Sequence, residues 1–198
     1  MSTAQEISKY FVLTPDGEVV CAKMLLHLGS RTAVDNALIR LTRNGSILRV
    51  SRGLYVRPVD GIFGLMPPNI ERVIESVAKL KGEDVLPAPA ILANRFGLTT
   101  QVPMRETYWT SGRGRILKFG KAIVRMHPGP KWLFAIKNKA VREVASALNW
   151  MAENGDTEGA RKFLSRLHPS TRYELERVRA SLPAWIAALV GEWVTVKD

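Results

Sequence analysis

Cysteine is nearly absent from this sequence. Cys21 stands alone, so neither an internal disulfide nor a multi-cysteine zinc site can form, and a reducing compartment is the default. Histidine is scarce as well. His27, His127 and His168 share no metal-ligand spacing, and His27, set among leucines, reads as a structural side chain. No run of about 18 apolar residues occurs, and no signal-peptide pattern opens the chain, which argues against a membrane span and points to the cytoplasm. The phosphate-cradling Gly-x-x-x-x-Gly-Lys loop and the Gly-x-Ser-x-Gly elbow are both missing. Glu83 and Asp84 are neighbours in sequence and Glu106 lies among bases, so no acid cluster of the kind a Mg²⁺-dependent nuclease needs can be read. The sequence therefore predicts no enzyme, no cofactor and no metal. Acidic residues are in deficit overall: 18 Asp and Glu against 29 Lys and Arg leave a net charge of +11, with an isoelectric point near 10.2. Such an excess favours a polyanionic partner, since clustered cations gain by releasing its condensed counterions.

What is present centres on residues 30–58, SRTAVDNALIRLTRNGSILRVSRGLYVRP. Ser30 is an N-cap residue after Gly29, and Asn44-Gly45 supplies a left-handed stop, so a helix is expected from about 31 to 43. Ala33, Val34, Ala37, Leu38 and Leu41 recur on one face; Thr32, Asn36, Ile39 and Arg43 project roughly opposite, flanked by Arg31 and Arg40. The runs 47–50 and 54–56 are β-prone and joined through Ser51-Arg52-Gly53, a hairpin with an arginine near its tip. An amphipathic helix leading into a basic hairpin is the pattern of a winged helix-turn-helix, in which the helix enters the major groove and the wing follows the phosphates.

Upstream, helical spacing of Ile7, Tyr10, Phe11 and Leu13 predicts a first helix, ended by Pro15-Asp16-Gly17. Residues 18–20 are extended, and 21–28 are expected to form a second helix whose Met24, Leu25 and Leu28 pack under the third. Residues 1–58 then make a winged helix-turn-helix domain. Residues 59–68 carry Pro58, Gly61, Gly64, Pro67 and Pro68 at and within their bounds, interleaved with Ile62, Phe63, Leu65 and Met66. This reads as an apolar linker that docks rather than swings free. Residues 69–198 are expected to form an α+β domain holding all five tryptophans: helices at 69–81 and 90–96, an antiparallel meander over 106–126, then a helical tail. In that tail a Thr171-x-x-Glu174 capping box is expected to open one helix. The fold class is α+β throughout.

Candidate DNA-binding residues follow from this layout. On the helix, Asn36 can pair bidentately with adenine and Arg31, Arg40 or Arg43 with guanine, with Thr32 and Ile39 on the same face; each good bidentate pair is worth about 1–3 kcal/mol of discrimination. On the wing, Arg49, Ser51 and Arg52 meet phosphates or the minor groove. Between 105 and 142 basic residues accumulate with Glu106 as the single acid, and Arg113, Arg115, Lys118 and Lys121 flank the two glycine turns of the meander, where a backbone phosphate could be gripped. The competing reading for any one of these cations is a surface ion pair. The expected partner is double-stranded DNA, read by a transcriptional regulator. The alternative is a protein-interaction module whose tryptophan-rich region binds a toxin or other partner without reading DNA sequence.

The segments Val34-Asp35-Asn36-Ala37-Leu38-Ile39-Arg40-Leu41, Gly45-x-Ile47-x-Arg49, Arg52-Gly53-Leu54-Tyr55-x-x-Pro58 and Gly97-Leu98-Thr99-Thr100-Gln101-Val102-Pro103 resemble those of the AbiEi-type antitoxins and transcriptional regulators of type IV (abortive infection) toxin–antitoxin systems. The resemblance implies an N-terminal winged helix-turn-helix that binds inverted repeats in its own promoter. It further implies a C-terminal domain that counteracts a nucleotidyltransferase toxin without forming a stable complex with it. On that footing the chain would be both antitoxin and autorepressor of its operon.

Overall fold

A computed structural model describes residues 2–62, 64–104, 106–120 and 122–195, with side chains through residue 192. The chain is α+β, with small antiparallel sheets set among helices. In chain order the elements are α1 (Thr3–Leu13), β1 (Val20–Cys21), a 3-10 segment (Ala22–Leu28), α2 (Arg31–Arg43), β2 (Leu48–Ser51), β3 (Leu54–Val56), β4 (Val59–Gly61), β5 (Gly64–Met66), α3 (Ile70–Lys81), β6 (Val85–Pro87), α4 (Pro89–Arg95), β7 (Thr107–Thr110), β8 (Arg115–Phe119), β9 (Ala122–Pro128), α5 (Lys131–Ala135), α6 (Lys139–Glu153), α7 (Thr157–Arg166), α8 (Pro169–Arg177), a 3-10 turn (Arg179–Ser181) and α9 (Ala184–Thr195). They fall into two compact units. One comprises Met1–Val85 and Gly114–Met126, the other Leu86–Arg113 and His127–Asp198.

The first unit is built on a core of Ile7 and Phe11 from α1, Leu25 from the 3-10 segment, and Val34, Ala37, Leu38 and Leu41 from α2, closed by Ile47 and Tyr55. Ser2 opens α1 with a reciprocal cap: its hydroxyl accepts from the Gln5 amide, and the Gln5 side chain accepts from the Ser2 amide at 2.8 Å. The central strand β3 pairs antiparallel with both β1 and β2, and a bulge between Arg49 and Ser51 tightens the local twist. The region 22–28, expected to be α-helical, is a 3-10 segment. Ala22 and Leu25, three apart and so nearly eclipsed in this geometry, are buried, whereas Met24 and Leu26 are exposed. Met24 therefore does not pack beneath α2.

This unit does not end at Pro58. Residues 59–66 form an antiparallel ribbon, β4 with β5, in register Val59 to Met66 and Asp60 to Leu65. Ile62, Leu65 and Met66 are exposed rather than docked: Ile62 stands in the turn, and Leu65 and Met66 point to opposite faces of the ribbon. Phe63 lies outside the described residues. Helix α3, capped by Asn69 and ended by Gly82 in the left-handed region, belongs to the same unit. The Ser76 hydroxyl accepts from the Val19 amide at 2.8 Å, and the turn before β1 comes so close to α3 that a Cβ at Gly17 would lie 2.7 Å from that of Arg72. Asp16 in this turn pairs with Arg57.

The antiparallel hairpin β8–β9 returns from later in the sequence to this unit, and β8 packs beside β2. Leu117, Phe119, Val124 and Met126 are buried on one face of the hairpin.

In the second unit α6 is the central element, with α4, α5, α7, α8 and α9 around it and a core that includes Leu92, Leu133, Val144, Leu148, Phe163, Leu175 and Ile186. The short elements β6 and α5 were not legible beforehand. The helix expected to open with a Thr171–Glu174 box starts earlier, at Pro169: His168 is the N-cap, its ring nitrogen accepting from the Ser170 amide. Proline at the first helical position, where its missing N–H costs nothing, fixes the start there. Among the described residues no helix is long and apolar enough to cross a membrane.

Candidate nucleic-acid interface

The sequence of α2 dictates a two-faced helix, and that is how it is held. The Ser30 hydroxyl accepts from the Ala33 amide at 3.3 Å, and the chain leaves through Asn44 into Gly45 at φ +77°, a conformation glycine adopts without Cβ strain. Val34, Ala37, Leu38 and Leu41 are buried, so the remaining stripe faces out: Arg31, Thr32, Asn36, Ile39, Arg40 and Arg43 are all exposed. The predicted reading face is thus presented as one surface. Its members differ in freedom. Nε of Arg31 donates to Asp35 one turn on at 2.8 Å, and this hydrogen bond and the Asp35 charge raise its pKa above the ordinary arginine value. Among the described residues Arg40 and Arg43 have no carboxylate partner. Asp35 engages only Nε of Arg31 and restricts its orientation, leaving the Nη groups free to donate, whereas Arg40 and Arg43 carry no such restraint.

Immediately after α2 the hairpin β2–β3 carries Arg49 exposed on β2 and Arg52 exposed at the turn, beside Gly53 at φ +72°, while Ser51 is half-buried. Neither arginine is engaged by a carboxylate among the described residues. On the hairpin β8–β9, which packs beside β2, Lys118 is exposed and equally without such a partner. The fold therefore brings Arg40, Arg43, Arg49, Arg52 and Lys118, from three separate stretches of sequence, into one compact unit.

Arg115 stands differently. One Nη donates to both carboxylate oxygens of Glu83, at 2.5 Å to Oε1, and the two side chains are only 17% and 16% exposed. This is a structural ion pair tying β8 to the segment after α3. Arg113 lies in the other unit, exposed. Lys121 and Arg105 lie outside the described residues. Arg142, counted among the basic residues by sequence, is buried in the second unit: its Nε and one Nη donate to the Ile136 carbonyl at 2.9 and 2.7 Å, with Cζ 5.3 Å from the Phe134 ring centroid. It fastens the loop between α5 and α6 and offers nothing to a ligand. Sequence reasoning missed both roles: Glu83 lies 32 residues from Arg115, and the Ile136 carbonyl that holds Arg142 is a backbone group that no side-chain pattern marks.

His27 packs edge-on against Tyr10 with ring centroids 6.2 Å apart, and no three His, Cys, Asp or Glu side chains among the described residues converge as a metal site.

No curated protein and no solved structure matches the chain. A family model does match, over residues 6–177, spanning the exposed helix face, both hairpins and most of the helical second unit. The chain belongs to DUF6088, a family of unknown function.

Proposed function

We propose that this chain is a sequence-specific double-stranded DNA-binding transcriptional regulator whose N-terminal unit works as a winged helix-turn-helix. The observation that carries the reading is the outer face of α2, where Asn36, Arg40 and Arg43 stand exposed without a carboxylate partner among the described residues, next to the arginine-tipped hairpin β2–β3. Helix α2 enters the major groove and reads base edges; Arg49 and Arg52 hold the backbone; Lys118 extends that hold. Arg31, oriented by the bond from its Nε to Asp35, offers its Nη groups from the flank of the same face. The resemblance to AbiEi-type regulators supplies the setting: autorepression of a type IV toxin–antitoxin operon in the cytoplasm, through inverted repeats in the promoter, with the second unit antagonising a nucleotidyltransferase toxin.

Gel shift of the full chain against the DNA upstream of its own reading frame, with random duplex as control, tests this. Asn36→Ala and Arg40→Ala should each weaken cognate binding by roughly 5- to 150-fold, the equivalent of about 1–3 kcal/mol, and random binding much less. Arg52→Ala and Lys118→Ala should weaken both alike and flatten the salt dependence. Equal losses on both DNAs for the helix variants would remove α2 from the reading role. The exposed apolar ribbon β4–β5, with Ile62, Leu65 and Met66 outward, favours a second reading as a protein-interaction module. That reading gains if no shift appears even at low salt.

A further inference from the structure

The solvent face of the hairpin β8–β9 has an unusual composition. The register sets Ile116 opposite Arg125 and Lys118 opposite Ile123. The alternate positions Leu117, Phe119, Val124 and Met126 are buried on the other face, so these four share the outer one. Ile116 is 50% and Ile123 48% exposed, Lys118 is exposed and Arg125 half-buried. Directly paired residues in a sheet have Cβ atoms roughly 5 Å apart and diagonal neighbours about 7–8 Å. The face is therefore a small checkerboard, with two cations on one diagonal and two isoleucines on the other. No acid lies within it, and neither Lys118 nor Arg125 is held by a carboxylate among the described residues.

Branched apolar side chains left half in water between cations suit a surface that must be attracted to a polyanion and then enter it. Duplex DNA offers both requirements in its minor groove: phosphates on the walls and stackable base steps on the floor. Proteins that bend DNA from that side set Arg and Lys on the walls and press Ile, Leu or Phe between base pairs. Position is compatible with this: β8 packs beside β2, the strand that follows α2 within the same unit, so the hairpin adjoins the wing.

We propose that the outer face of β8–β9 is a minor-groove wedge, with Lys118 and Arg125 gripping the two phosphate walls while Ile116 and Ile123 press on a base step and bend the DNA. The inference rests on the DNA-binding reading above and adds to it the deformation of the duplex. Pyrimidine–purine steps such as TA unstack most easily, so the wedge selects sequence at a position that makes no hydrogen bond to the protein.

The test uses the full chain and an end-labelled duplex of about 30 base pairs with a central TA step, read both by anisotropy for binding and by energy transfer between its ends for bending. The wild type should bind and raise energy transfer. Ile116→Ser with Ile123→Ser should abolish the rise while affinity stays within about tenfold. Ile116→Lys should also lose the bend, yet steepen the salt dependence of binding by about one contact's share of the log–log slope, roughly 0.9. Thermal melts of each variant matching the wild type confirm that the hairpin is intact; should the double serine variant melt early, Ile116→Lys alone decides. Binding by the wild type without a rise in transfer overturns the wedge and leaves the DNA reading standing, as does full bending by the variants. Absence of wild-type anisotropy change at low salt overturns the DNA reading itself.

Discussion

Replacing Arg115 should damage the fold rather than the interface, although by sequence it sits in the basic cluster with Lys118. Its guanidinium bonds both oxygens of Glu83, and the pair is about five-sixths removed from solvent. In Arg115→Ala the largely buried Glu83 carboxylate loses the guanidinium that bonds both its oxygens, and losing such a charged partner costs about 1–3 kcal/mol or more. Complete burial would raise that to about 3–5 kcal/mol; the residual exposure here sets the expectation at about 2–3 kcal/mol. Urea unfolding followed by a probe in the first unit should show the midpoint lowered by about 0.7–3 M at unchanged slope, given a slope of roughly 1–3 kcal/mol/M. Lys118→Ala, three residues on and exposed, should stay within about 0.5 kcal/mol of wild type. Adding Glu83→Leu to Arg115→Met should recover much of the loss, because a well-packed apolar pair of similar volume avoids the stranded charge. The reasoning is refuted if Arg115→Ala unfolds like Lys118→Ala but loses DNA affinity as Lys118→Ala does; Arg115 would then be a phosphate contact.

Two further substitutions probe what presents the site. Leu38→Ala, at a fully buried position on the inner face of α2, should lower stability by about 2–5 kcal/mol, and at temperatures where the variant is still folded its DNA specificity should match wild type in the gel shift. Arg142→Lys should lower stability by about 1–3 kcal/mol, because one ammonium cannot reproduce the guanidinium fork on the Ile136 carbonyl. Its salt dependence of DNA binding should be unchanged, which a titration over ionic strength checks.

The helix α2 was legible in the sequence to the residue, because everything that bounds it is local: a serine hydroxyl three residues from an amide, and an Asn-Gly pair that leaves the helix. The hairpin β2–β3 was legible for the same reason. What escaped is decided by packing and by competition between local signals. The 3-10 geometry of 22–28 is set by which side chains the core accepts, not by propensity. The His168 cap won over the Thr171 box because Pro169 can start a helix where few other residues gain by it. Glu83 with Arg115, and Ile136 with Arg142, are pairings that no spacing rule announces. As a result the basic residues looked like one cluster in sequence, whereas in the fold some grip the protein itself and others stand toward solvent.

The first unit is discontinuous, and this bears on how it is made. Residues 114–126 return after an excursion of 28 residues, 86–113, assigned to the other unit, so β2 gains the neighbour β8 only once the chain has been synthesised past Phe119. Until then β2 lacks the packing of β8 beside it, and closing so long a loop slows folding relative to the local assembly of α1, the 3-10 segment and α2. A gene fragment cut after Val85 would encode the α2 helix and the wing but leave Glu83 without Arg115 and β2 without β8 beside it. The unit that carries the α2 helix and the wing is therefore whole only when 114–126 accompanies residues 1–85.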